Sequence, residues 1–137
     1  MDYKYHMMVC LSFVFNCDHR ESKKKKKANA QIHDWTEELM AIRNKSQEFY
    51  FKLSGRKVEF QVMLANLYKD GESNIYWHAD REELGKDTPI FSISLGTERV
   101  FKLRLKDKEE RKKNPKKTEI NLTNGCCVIM ENFCQHK

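Results

Sequence analysis

Three side chains of this 137-residue chain have the types and spacing to hold a redox-active metal. His78 and Asp80 lie two residues apart in Trp77-His78-Ala79-Asp80. On a strand, side chains at i and i+2 leave the same face, so an imidazole and a carboxylate can reach one point together. A further imidazole, His136, follows several segments later. Two histidines and a carboxylate on one face of a ferrous ion leave its other positions open for a bidentate 2-oxo acid and dioxygen. By itself the triplet is better read as a His–Asp hydrogen bond at a strand edge, because 5 histidines and 20 acidic residues generate such triplets by chance. Its neighbours along the chain shift the balance toward a metal.

Before the triplet, the hydrophobic period is two. Val58, Phe60, Val62, Leu64, Asn66 and Tyr68 share one parity after Ser54-Gly55, which reads as a strand. Its four apolar members point inward in this reading, and so Asn66 and Tyr68 do as well. Polar side chains on a buried face need partners, which a polar small ligand can supply. Lys69-Asp70-Gly71 marks a turn. Asn74–Asp80 reads as the next strand, with Tyr76, His78 and Asp80 on one face. A polar loop from Arg81 to Pro89 leads to strands over Ile90–Leu95 and Val100–Leu105. After a basic hairpin, Thr118–Leu122 and Cys126–Met130 flank a turn at Asn124-Gly125. Upstream, Asp34 and Glu37 make a capping-box-like start, and Trp35, Leu39, Ile42 and Phe49 recur at helical spacing. The helix runs to about Tyr50 and its apolar stripe packs on a core. One helix followed by many short strands predicts a mainly β fold, a sandwich or jelly roll.

A chain of 16.4 kDa, 39% hydrophobic and 34% charged, with mean hydropathy −0.80, builds one modest core. No apolar run approaches the ~20 residues that span a bilayer, so no membrane association is expected, and the segment before Lys23–Lys27 lacks the features of a secretory signal. Residues 1–27 read as a poorly organised leader ending in that lysine run. The expected division is a leader over 1–31 and one domain over 32–137, acting as a monomer. The net charge of +6 is unevenly spread. Lys23–Lys27 is wholly basic, and Lys102–Lys117 holds nine basic side chains against three acidic ones, on an otherwise mildly acidic body. Such a distribution suits a phosphate backbone and equally a solvated loop and tail. Five cysteines without a CxxC pair do not make a disulfide framework and fit a reducing compartment, the nucleus or cytoplasm. His6, Cys10, Cys17 and His19 match no zinc-finger spacing.

From about Ile32 to His136 the chain resembles the AlkB family of 2-oxoglutarate- and Fe(II)-dependent dioxygenases, especially its eukaryotic repair homologues. The resemblance is carried by Asn66-Leu67-Tyr68-Lys69-Asp70-Gly71, Trp77-His78-Ala79-Asp80, and Pro89 through Gly96 with Arg99 and Phe101. Gly125–Met130 and Gln135-His136 extend it. It implies a double-stranded β-helix, with His78, Asp80 and His136 as iron and catalytic residues. Asn66 and Tyr68 become hydrogen-bond partners of 2-oxoglutarate, in agreement with the parity argument, and Glu82 stands near the alkylated base. The implied reaction couples decarboxylation of 2-oxoglutarate to hydroxylation of an N-alkyl group in DNA or RNA, with loss of formaldehyde from the product and repair of the base. The base is presented single-stranded or flipped from its stack.

The resembling enzymes continue past the last ligand into a strand whose arginine pairs with the cosubstrate, and no such strand follows His136 here. The chain is therefore expected to form an incomplete β-helix. A catalytically inactive remnant that binds nucleic acid or protein through its basic hairpin is the alternative. Trp35 and Trp77 are expected to pack rather than stack on bases, and Cys126 and Cys127 to fill space on opposite strand faces.

Overall fold

The structure, a computed structural model, describes residues 8–14, 33–79 and 89–131. Its first element is a strand, β1 (Met8–Val14), followed by a helix, α1 (Glu37–Ser54), and strands β2 (Val62–Tyr68), β3 (Ile90–Gly96) and β4 (Arg99–Arg104). A short helix, α2 (Lys108–Lys113), then precedes β5 (Lys117–Leu122) and β6 (Cys127–Met130). The described chain is mainly β with one long helix. Two antiparallel sheets form, one in the order β2-β1-β3-β6 and one of β4 with β5.

Met8–Val14, read from the sequence as part of a poorly organised leader, is the strand between β2 and β3. Every residue of β1 is registered against β2, from Met8 opposite Tyr68 to Val14 opposite Val62. A seven-residue, mostly apolar stretch with a single serine carries no period that marks it as a strand. Its backbone N–H and C=O groups are satisfied by strands distant in sequence, so the strand is a tertiary product.

Helix α1 is capped two residues later than the capping-box reading, at Thr36 rather than Asp34. Thr36, with extended backbone, accepts a hydrogen bond at Oγ1 from the Leu39 N–H (3.3 Å), and Glu37 and Glu38 place negative charge at the dipole's positive end. The helix continues past Tyr50 to Ser54 and stops at Gly55, whose φ of 69° is the left-handed conformation a C-cap requires. Thr36→Ala is expected to lower stability by about 1 kcal/mol, measured by urea unfolding.

The core is aromatic. Tyr50, Phe60 and Phe91 are buried, with Trp35, Leu39, Ile42, Val58, Met63, Ile93 and Ile129 packed around them. Phe49 stays partly exposed but meets Phe91 edge-on at 6.2 Å. The helical stripe thus packs as expected, against one face of the larger sheet. Tyr50 also donates its phenol to Glu131 at the end of β6. Burial, and then that carboxylate, push the Tyr50 phenol above its ordinary range. A raised phenol stabilises the fold fully below its unfolded pKa of about 10 and loses that contribution as pH climbs through the folded value. Denaturation between about pH 9 and about pH 11 should therefore show a steeper loss of stability for the wild type than for Tyr50→Phe.

The parity reading of 58–68 is corrected. Phe60 precedes the strand, and its N–H is given to the Gln47 side chain of α1 (2.8 Å) rather than to a neighbouring strand. That break in regular backbone resets the alternation. Met63, not Val62, joins the aromatic core, and Leu64 is 55% exposed. Val62, Leu64, Asn66 and Tyr68 do share a face, but it is the sheet face opposite Phe91.

Between the two sheets, the Asn124-Gly125 turn forms, with Gly125 at φ 79°. It is not a hairpin: β5 pairs with β4 and β6 with β3, so the chain changes sheets there. Asn124 Oδ1 accepts from the Gly96 N–H (2.9 Å), and the Gly125 N–H donates to the Ser94 carbonyl (2.7 Å), which fastens this crossing to the end of β3. Among the described residues, no helix is long and apolar enough to cross a membrane.

Candidate functional site

Asn66 and Tyr68 occupy neighbouring rows of the larger sheet. In register, Asn66 and Ser94 flank Cys10 of β1, and Leu64 and Ser92 flank Ser12. Directly opposed residues share a face, so Asn66 lies in one row with Ser94, which is buried. This face therefore carries polar groups where the opposite face carries Phe91 and Ile93. The serines were not singled out in the sequence, although the alternation Ser92-Ile93-Ser94 is the signal that marks them. Asn66 and Tyr68 are half-buried.

Arg99, at the start of β4, holds the end of β2 and the turn that follows. Its guanidinium lies over the Tyr68 ring, 4.9 Å from the centroid, and Nη2 donates to the carbonyls of Gly71 (3.1 Å) and Ser73 (2.6 Å). Asp70 shapes the same turn by accepting at Oδ1 from the N–H of Glu72 and from both the N–H and hydroxyl of Ser73. The Ser73 hydroxyl, first among these donors, holds the Asp70 carboxyl below its usual range. Nη1 of Arg99 is buried with no hydrogen-bond partner. A buried donor left over beside Tyr68 suits an anionic group such as a carboxylate. Sequence reading included Arg99 in the resemblance and assigned it no task.

The segment carrying His78 is not a strand. Residues 73–79 adopt irregular backbone, and the expected Asn74–Asp80 strand is replaced by side-chain anchors. Arg104, at the end of β4, covers the Trp77 ring at 4.1 Å, and Lys117, its register partner on β5, lies 5.9 Å from the same ring. With Arg99 gripping Gly71 and Ser73, the segment is tied to both ends of β4. Cation–π contacts and carbonyl-directed hydrogen bonds take the place of ladder pairing.

His78 is oriented locally. Its Nδ1 lies 2.7 Å from the Tyr76 carbonyl oxygen. A carbonyl only accepts, so Nδ1 carries a proton, and the neutral ring with this tautomer has its lone pair on Nε2. Metal-binding histidines are commonly set this way, with one ring nitrogen donating to a carbonyl and the other facing the ion. The tautomer, the polar face around Asn66 and the orphaned Arg99 donor fit an Fe(II) ion and a carboxylate-bearing cosubstrate. Asp80, Glu82 and His136 lie outside the described residues, as do Lys23–Lys27 and Cys134. Among the described residues no three histidine, cysteine or acidic side chains gather as a metal cluster. Cys126 is half-buried and Cys127 exposed, with the Cys127 thiol pushed up first by burial.

A family model, the 2OG-Fe(II) oxygenase superfamily, matches residues 1–137. The chain is 30% identical over 105 residues to the alpha-ketoglutarate-dependent dioxygenase alkB homolog 3 of Bos taurus, covering 74% of this chain and 35% of that protein. It is 40% identical over 76 residues to the DNA oxidative demethylase ALKBH2 of Mus musculus, covering 52% of this chain and 31% of that protein. To the Arabidopsis thaliana protein of the same name it is 44% identical over 52 residues, or 37% of this chain and 17% of that one. The chain spans about a third of the length of the alkB homolog 3 relative. No solved structure matches it. With a family match along its whole length, the chain belongs to the 2OG-Fe(II) oxygenase superfamily, an enzyme family that uses Fe(II), 2-oxoglutarate and dioxygen, and it is AlkB-like within that family.

Proposed function

We propose that this chain carries the iron-binding part of an oxidative demethylase acting on N-alkylated bases in DNA or RNA, built on a double-stranded β-helix. The observation that carries the reading is the His78 imidazole, its Nδ1 held at the Tyr76 carbonyl, in a chain whose β2 carries Asn66 and Tyr68 on one face. The relative named DNA oxidative demethylase supports a nucleic-acid substrate, and the one named alpha-ketoglutarate-dependent dioxygenase supports the cosubstrate.

In this reading His78, Asp80 and His136 hold the iron. Bound Fe(II), with 2-oxoglutarate and dioxygen, supplies the oxidising chemistry that hydroxylates the N-alkyl carbon. Asn66 and Tyr68 orient the cosubstrate by hydrogen bonds, and Arg99 stiffens that end of β2 while offering a buried donor to a carboxylate. Glu82 stands toward the alkylated base. Preorganised donors cost no reorganisation at the moment of reaction, which is the reason to fasten them to strands and a clamped turn.

The test is to incubate the full chain aerobically with Fe(II), 2-oxoglutarate and a single-stranded oligonucleotide carrying 1-methyladenine or 3-methylcytosine. Formaldehyde and the unmethylated base, both dependent on iron and on 2-oxoglutarate, are the expected products. Consumption of 2-oxoglutarate with a protein or small-molecule substrate, and none with methylated bases, would replace the substrate assignment. Retention of the oligonucleotide with no formaldehyde would replace the demethylase by a binding module.

A further inference from the structure

Immediately before His78 the chain presents Ile75, Tyr76 and Trp77, which are 50%, 86% and 41% exposed. The two aromatic residues are treated differently. Trp77 is occupied: Arg104 and Lys117 both lie against its ring. Tyr76 is the most exposed large apolar side chain among the described residues, so its ring contributes little to the core. Its carbonyl accepts from His78 Nδ1 at 2.7 Å, and the next residue, Trp77, is held between Arg104 and Lys117. A flat, solvent-facing ring thus stands two residues from the proposed iron ligand.

The same Trp77 clamp brings a cationic surface alongside. Arg104 and Lys117 are register partners at the end of the β4–β5 sheet, and the chain between them is the basic tip containing α2. Internal contacts settle some of its charge. Lys112 pairs with Glu109 at 2.8 Å, Lys102 with Glu119 at 3.0 Å, and Arg111 Nη1 donates to the carbonyls of Leu105 and Lys106. Asp107 is spent as the N-cap of α2, accepting from the Glu110 N–H. Lys106, Lys108, Lys113 and Lys116 are exposed and have no ion pair among the described residues.

We infer that Tyr76 and this basic tip form one binding surface for single-stranded nucleic acid, with a base stacked on the Tyr76 ring and the phosphates following Lys106, Lys108, Lys113 and Lys116. Nonspecific single-strand sites combine these two elements, a cationic track and an aromatic face that any base can cover. A duplex keeps its bases in their own stack and offers no partner for the ring. The surface rests on the proposed function only in that the strand leads toward His78, which makes the neighbour of the stacked base the one presented for reaction.

The test uses the full chain and fluorescence anisotropy with labelled, unmethylated single strands of about 12 nucleotides, within the usual site size, in deoxyribose and ribose forms. Heparin serves as a polyanion without bases, and circular dichroism melts verify folding of each variant. Tyr76→Ala is expected to weaken single-strand binding about tenfold, Tyr76→Phe to retain it, and heparin binding to stay the same in both. Replacing Lys106, Lys108, Lys113 and Lys116 by glutamine is expected to flatten the slope of log affinity against log salt by up to about 3. Three results each overturn the inference: no binding by the wild type, binding indifferent to Tyr76→Ala, or an equal loss toward heparin. Formaldehyde release by the wild type is scored separately. Release together with binding indifferent to Tyr76 discards the surface and keeps the demethylase, whereas Tyr76-dependent binding without release keeps the surface and discards the demethylase.

Discussion

His78→Ala is expected to abolish formaldehyde release and to weaken binding of Mn(II), a redox-stable stand-in for Fe(II), by more than about 100-fold. Loss of a partner that merely orients a metal ligand typically costs 10- to 100-fold in affinity or activity, and removal of the ligand itself exceeds that range. The melting temperature should change little, because His78 is exposed and its Nδ1 bond reaches only two residues back. Calorimetric titration with Mn(II) reads the affinity directly, without relying on turnover. Wild-type affinity in the alanine variant would remove His78 from the ligand set and leave the imidazole as a local tie on the 73–79 segment. The measurement also bears on Asp80 and His136. If the three converge, alanine at any one should reduce metal affinity to a similar residual level, since two ligands hold a divalent ion poorly.

Phe60→Ala is expected to destabilise the fold by about 3 to 5 kcal/mol. Phe60 is 0% exposed and Phe91 1% exposed, their rings 6.1 Å apart and tilted. The site has little means of collapsing around a missing ring. Tyr50 is tied to Glu131, Gln47 is bound to the Phe60 backbone, and Phe49 already abuts Phe91. A domain of this size is stabilised by only about 5 to 15 kcal/mol in total, so the variant should be largely unfolded at modest urea concentrations. Urea titration followed by tryptophan fluorescence measures the shift, since Trp35 packs on the cluster. A loss below about 1 kcal/mol would mean that α1 and the sheet repack freely, contrary to a close-packed aromatic core.

The two experiments probe different parts of the molecule, Phe60 in the aromatic core and His78 on the irregular 73–79 segment. Phe60 belongs to the face against α1, whereas Asn66 lies in register with Ser94 on the other. Stability and chemistry are thereby separated by the thickness of a strand. Core truncation should lower activity only as far as it lowers the folded fraction, and loss of His78 should lower activity without touching stability.

Much of this arrangement was legible in the residue order. Local signals suffice where neighbours in sequence decide the outcome: the apolar stripe of α1, the punctuation at Gly55, Gly96 and Asn124-Gly125, and the strands over Ile90–Leu95 and Val100–Leu105. Tertiary contacts decided the rest. β1 exists because β2 and β3 satisfy its backbone on both sides. The face of β2 that meets the core follows from its register, which puts Met63 in line with Phe91, and from the irregular backbone at Phe60, whose N–H goes to Gln47, and no count of parity contains either. His78 is aimed by the Tyr76 carbonyl on an irregular segment, and that segment keeps its place through Arg99 and Arg104, residues 21 and 26 positions further along. Periodicity records which side chains prefer to be buried. The partners that fix an orientation come from anywhere in the chain, and only folding brings them within a hydrogen bond's reach.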